Sequence, residues 1–181
     1  VKIRPATIGD AAALAAIYGH NVLHGFGTFE EIVPSTEEMG RRMSAVLRLG
    51  LPYLVAEIDG AVAGFACATA FRTRAAYRYT VEDSVYIAPD RQGRGIGKAL
   101  LLAVIAECEA LGLRQMVAMI GDSENAGSIA VHRSCGFEPS GVLRGLGFKA
   151  GRWVDVVTMQ RTLNAGSDGA PTAAGMDWGG A

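Results

Sequence analysis

Cysteine is scarce in this sequence: three residues, Cys67, Cys108 and Cys135, odd in number and far apart. With no Cys-x-x-Cys pair among them, neither a disulfide framework nor a zinc site is indicated. Buried free thiols in a reducing compartment are the simpler expectation. Neither charge sign dominates: 17 Lys and Arg face 18 Asp and Glu, a formal net charge of −1. Such a chain has no global basic field for nucleic acid or an anionic membrane, and it lacks an aromatic–basic stacking surface. An anion must therefore be held by a local cluster. Long apolar runs are missing too, none reaching the ~18 residues of a membrane span. Val1-Lys2-Ile3-Arg4-Pro5 lacks the apolar stretch of a secretory leader, so the expected location is the cytoplasm.

What is present is ordinary for a globular α/β chain: 181 residues, 50% hydrophobic and 19% charged, long enough to bury a core of its own. Lys2-Ile3-Arg4 reads as a first strand, and Thr7 or Asp10 as the cap of a helix carrying Leu14, Ile17 and Tyr18 on one face. Pro34-Ser35-Thr36-Glu37-Glu38 has the cap and early acids of a second helix. Asp59-Gly60 is a two-residue hairpin turn between β-rich runs at 53–58 and 62–71. Residues 72–79 read as irregular, and 80–87 as a strand that puts Val81, Asp83, Val85 and Ile87 on one face and Glu82, Ser84 and Tyr86 on the other. A long helix then presents Ile96, Leu100, Ala103, Val104, Cys108 and Leu111 to the core and stops at Gly112. A strand at 116–120, a helix at 125–135 and a final hairpin complete one mixed domain over residues 1–164. Residues 165–181, rich in Gly and Ala, are expected to form a flexible tail.

The most informative segment is Gln92-Gly93-Arg94-Gly95-Ile96-Gly97-Lys98, between a strand and an amphipathic helix. A helix N-terminus presents free N–H groups and partial positive charge, and glycines let the backbone approach a phosphate closely. Arg91, Arg94 and Lys98 supply local countercharge. The P-loop pattern fails, because Gln92 stands where its first Gly belongs and Ala99 where Ser or Thr belongs. The dinucleotide pattern GxGxxG fails from Gly93, where the last position is Lys98, and from Gly95, where it is Leu100. Gln/Arg-x-x-Gly-x-Gly/Ala fits through Gln92, Gly95 and Gly97.

That pattern resembles the pyrophosphate loop of the GNAT superfamily of acyl-CoA-dependent N-acyltransferases. Asn125, Ser128 and His132-Arg133-Ser134-Cys135-Gly136-Phe137 are similar to the superfamily's later block, with His132 in the position of a Tyr. Within the superfamily the chain looks like the phosphinothricin and methionine sulfoximine acetyltransferase branch. Four stretches carry this: Tyr53-Leu54-Val55-Ala56-Glu57, residues 80–87, Gly147-Phe148-Lys149 and Gly151-Arg152-Trp153-Val154-Asp155. The resemblance implies a GNAT-type three-layer α/β/α domain with a central mixed, mostly antiparallel twisted sheet. It also implies acetyl-CoA as co-substrate, no metal, a homodimer, and an activity of the herbicide- or antibiotic-resistance kind. By the same resemblance, Val85, Tyr86, Ile87, Gln92, Gly93, Arg94, Gly95, Ile96, Gly97, Lys98, Asn125, Ser128 and Ser134 would hold the cofactor. Phe29, Arg72, Arg74 and Tyr77 fall where the branch builds its amino-acid pocket. The stretch around 68–79 departs from the pattern and leaves the site for the substrate's acidic end open.

Amide formation from a thioester requires an ammonium to lose a proton, an oxyanion to be stabilised and a thiolate to leave. Glu82 is the candidate base, an N–H near Val85 the oxyanion donor, and His132 the acid for the thiolate. Arg72 and Arg74 suit a carboxylate or phosphinate through their fork geometry. Phe29 and Tyr77 fit a pocket wall, or equally a core or rim. Lys149, Arg152 and Trp153 are candidates to complete a neighbouring subunit's site. His20 and His24, four apart, lack the Glu of a zinc-protease helix and any evident third ligand, so no metal is expected. Two alternatives remain. One is another acceptor: a polyamine, an aminoglycoside or a protein N-terminus, with Arg72, Arg74 and Arg78 weighing against the cationic ones. The other is an acyl-CoA-binding sensor without turnover, which would have no need of the Glu82 carboxylate.

Overall fold

A computed structural model describes residues 1–179. Strands β1 (Lys2–Pro5), β2 (Tyr53–Ile58), β3 (Ala61–Ala70), β4 (Thr80–Ile87), β5 (Gln115–Gly121), β6 (Glu138–Lys149) and β7 (Arg152–Thr162) form one sheet in the order β1-β2-β3-β4-β5-β7-β6. Every neighbouring pair is antiparallel except β4 with β5. Helices α1 (Ala11–His24) and α2 (Thr36–Arg48) pack on each other and on the central strands, and α3 (Ile96–Ala110) packs on those strands and on α4 (Ala126–Ser134). Tyr53, Leu54, Val55 and Ala56 are all buried, as a strand covered on both faces must be. The domain is therefore a three-layer GNAT-type α/β/α sandwich around a mixed sheet.

Local chemistry sets the elements. Ser35 caps α2 by accepting from the Glu38 N–H. Asn125 caps α4 by accepting from the Ser128 N–H. The buried face of α3 is Ile96, Leu100, Leu101, Val104, Ile105 and Cys108, each large aliphatic contributing about 1.5–3 kcal/mol. Leu101 and Ile105 replace the expected Ala103 and Leu111, of which Leu111 is the exposed C-cap of the helix. Cys67, Cys108 and Cys135 are all buried and unbridged. No helix among the described residues is long and apolar enough to cross a membrane.

The segment expected as a tail has no regular element, yet it runs back along the domain. Arg114 donates to the carbonyls of Gly166 and Asp168, and Tyr79 to that of Ala173. Met176 and Trp178 pack against the core.

Candidate active site

The parallel pair β4–β5 holds register only from Thr80↔Gln115 to Glu82↔Val117, after which the two strands part. On its other side β4 stays paired with β3 as far as Ile87. The gap between 83–87 of β4 and 118–121 of β5 becomes a cleft of about 670 Å³. One end of the cleft is the glycine-rich turn. Gly93 and Gly95 have φ of +73° and +74°, a left-handed backbone that a side chain would strain. The first backbone bond of α3 is from Ala99 N–H to Gly95 O, so the N–H groups of Ile96, Gly97 and Lys98 have no helical acceptor. Arg91 and Lys98 add positive charge at this end.

The other end is closed by residues 26–29, which follow α1. Lys149 is buried beneath this loop, and its Nζ donates to the carbonyls of Gly25 and Thr28 at 2.8 and 2.7 Å. Burial lowers its pKa. Arg152 pairs with Asp122, and its guanidinium lies 3.9 Å from the centre of the Phe26 ring. Both side chains are thus engaged within their own chain. Lys149 is buried, whereas Arg152 and Trp153 are exposed. Gly147 admits the Phe29 ring: a Cβ there would sit 2.3 Å from a ring carbon.

Glu82 lines the cleft at the last β4–β5 pair, where the two strands begin to part. Burial raises its pKa, the neighbouring Asp83 charge adds to this, and Arg72 opposes it. Asp83 faces away from Glu82 and is 6% exposed; its Oδ2 lies 3.0 Å from Nε2 of His132, itself 3% exposed. His132 Nδ1 lies 2.7 Å from the Ser128 carbonyl and 3.3 Å from Ser128 Oγ. A carbonyl and a carboxylate both accept, an arrangement that favours hydrogen on both ring nitrogens. Burial pulls the His132 pKa down, but the Asp83 hydrogen bond and charge and the Ser128 carbonyl leave it raised.

Of the residues singled out in the sequence, the cleft brings together Phe29, Glu82, Val85, Tyr86, Ile87, Gln92, Gly93, Gly95, Ile96, Gly97, Lys98, Asn125, Ser128 and His132. Arg94 and Ser134 are exposed and outside its lining, with the Ser134 hydroxyl donating to the Val131 carbonyl of its own helix. Arg72, Arg74 and Tyr77 also lie outside, on the β3–β4 loop. There Arg72 stacks on Phe71 with its guanidinium 4.4 Å from the ring centre, and Tyr77 meets the same ring edge-on. Asn21, Phe26 and Thr28 belong to the lining and were missed. So was the role of Asp83, although an acid on the inward face of a strand signals a buried partner. His20 and His24 stack at the rim, their ring centres 4.8 Å apart. Among the described residues, no group of three or more His, Cys, Asp or Glu side chains is placed to hold a metal.

Comparison with known proteins agrees with this geometry. The model of the acetyltransferase (GNAT) family matches residues 24–137. A phosphinothricin N-acetyltransferase of Alcaligenes faecalis is 54% identical over 90% of this chain and 82% of its own length. An L-methionine sulfoximine/L-methionine sulfone acetyltransferase of Salmonella typhimurium is 40% identical over 91% of this chain and 95% of its own. The crystal structure of a phosphinothricin acetyltransferase from Sinorhizobium meliloti, in complex with acetyl-CoA, superposes with a TM-score of 0.93 at 47% identity, covering 96% of this chain and 94% of that one. By sequence and by fold alike, the chain belongs to the GNAT acetyltransferase family and is an N-acetyltransferase.

Proposed function

We propose that the protein transfers an acetyl group from acetyl-CoA to the α-amino group of a small amino-acid analogue of the phosphinothricin or methionine sulfoximine kind, with Glu82 as general base. The observation that carries this reading is the position of the Glu82 carboxyl. It sits where β4 and β5 part, in a lining that also includes the glycine-rich helix start and Phe29. The relatives' names supply the substrate class.

The cleft fits acetyl-CoA. The free N–H groups of α3, with Arg91 and Lys98, suit a pyrophosphate. The β4 backbone beyond Glu82, unpaired towards β5, suits a polar arm added like a strand. Acetyl-CoA supplies an activated thioester; the chain's own groups do the rest. Glu82, with its pKa raised, is a stronger base than an ordinary carboxylate and takes the proton of the incoming ammonium, directly or through water. An N–H near Val85 steadies the oxyanion. Ser128 Oγ, in the lining, gives its proton to the departing thiolate and receives one from Nδ1 of His132, whose Nε2–H stays on Asp83. Arg72, on the loop that leads into β4, is the candidate for the acceptor's acidic end, its guanidinium fork suiting a carboxylate or phosphinate.

Release of free CoA from acetyl-CoA tests the reading against phosphinothricin, methionine sulfoximine, methionine sulfone, spermidine, kanamycin and a peptide amine. Turnover confined to the amino-acid analogues is expected. Turnover on the cationic amines or the peptide alone would discard the substrate class, and binding of acetyl-CoA with no turnover on any amine would favour a sensor.

We also propose a homodimer. Val142, Leu143, Leu146, Phe148 and Trp153 are all exposed on the β6–β7 hairpin at the sheet edge, a concentration of apolar side chains that suits an interface. Light scattering is expected to give the mass of two chains, reduced to one in Leu143→Asp/Phe148→Asp. A monomeric wild type contradicts it.

A further inference from the structure

We infer that residues 173–178 act as a brace on the β3–β4 loop, residues 71–79, and so position the acceptor side of the cleft; this rests on the amino-acid acetyltransferase reading above. Three hydrogen bonds tie consecutive residues of the loop to the segment. The Trp178 indole donates to the Tyr77 carbonyl at 3.3 Å, the Met176 N–H to the Arg78 carbonyl at 2.9 Å, and the Tyr79 hydroxyl to the Ala173 carbonyl at 2.8 Å. Gly175, at φ +77°, lets the segment lie flat on the loop: a Cβ there would come 2.5 Å from Arg78 Cγ and 2.8 Å from Tyr79 Cε1. Arg114 anchors the chain on its way there through the Gly166 and Asp168 carbonyls.

Within the loop itself, backbone order is slight. Its one short turn of 3-10 helix, Ala75–Tyr77, buries no residue. The segment therefore supplies contacts that the loop's own sequence does not, at the residues that lead directly into Thr80 and Glu82. A loop so braced is fixed where it enters β4, the strand that carries Glu82. Residues 173–178 are not among the residues lining the cleft or forming the glycine-rich turn, so their role is to position the acceptor side and not to hold acetyl-CoA.

The test uses the full chain with Gly175→Val, which forces the segment off, and with Trp178→Phe, which keeps an aromatic ring and removes the indole donor. Hydrogen exchange at the amides of 72–79 is read first, because it does not depend on activity. Both variants are expected to lose protection there, Gly175→Val more, while the amides of β5 and α3 keep theirs. KM for the amine is expected to rise roughly three- to ten-fold in Gly175→Val, the size of a lost hydrogen bond or two. KM for acetyl-CoA and kcat are expected to stay within about two-fold. Unchanged protection of 72–79 in both variants overturns the brace. Lost protection with an unchanged amine KM overturns its positioning role. Failure of the wild type to acetylate any amine strikes the functional reading instead and leaves the exchange result standing by itself.

Discussion

Glu82→Gln is expected to lower kcat by about 10²–10⁴, the usual contribution of a positioned general base, with KM for acetyl-CoA little changed. The substitution keeps the shape and a hydrogen-bonding side chain and removes only the ability to take a proton. Wild-type kcat/KM is expected to fall on the acid side with an apparent pKa above the ordinary carboxylate value, because burial and the Asp83 charge raise that of Glu82. The acid limb is expected to be lost in Glu82→Gln. Initial-rate assays across pH check both. A variant that turns over within a few-fold of wild type would remove Glu82 from the chemistry and leave it a cleft-wall residue.

The second large effect is on stability. Asp83→Ala strips the partner from a His132 ring that is 3% exposed and whose protonated form Asp83 favours. Breaking a buried pair on one side costs about 3–5 kcal/mol, which for a chain of this size lowers Tm by roughly 6–20 °C. Asp83→Leu/His132→Leu removes both charges and is expected to recover much of that loss. The pH dependence has a definite sign. Against the lowering effect of burial, the Asp83 carboxylate and the Ser128 carbonyl raise the folded pKa of His132 above the ordinary imidazole value of 6.5. Its contribution is therefore complete below that value and is lost as pH rises through the folded pKa. The stability gap between wild type and Asp83→Ala should be widest in mild acid and narrow towards alkaline pH. Urea melts at several pH values measure it. A gap below ~1 kcal/mol, an ordinary surface-pair value, would mean that the imidazole is neutral and weakly held.

What the sequence revealed is what depends on local backbone chemistry. Asp59-Gly60 reads as a tight hairpin turn, and its φ angles of 52° and 77° are those the turn demands. Gln92-x-x-Gly-x-Gly reads as an anion-binding helix start because glycine spacing and the start of an apolar stripe are both visible in a few residues. Glu82 was legible as a candidate because the strand it sits on leads into that turn. The His132–Asp83 pair was not, since 49 residues separate its members and only the sheet and α4 bring them together. The burial of Lys149 was not legible for a related reason: the carbonyls of Gly25 and Thr28 that accept from it lie more than 120 residues away. The contacts of residues 165–179 were hidden by composition: Gly and Ala give no periodicity, and what docks the segment is backbone carbonyls, which every sequence has.

The most direct measurement is a rapid-quench reaction of acetyl-CoA with phosphinothricin or methionine sulfoximine over excess wild-type protein, with mass analysis of amine and protein together. One acetyl group on the amine's α-nitrogen for each CoA released, with no acetylated protein at any time, is the predicted result. An acetyl group found on the protein before it reaches the amine, or CoA released without an acetylated amine, would contradict direct transfer in this cleft.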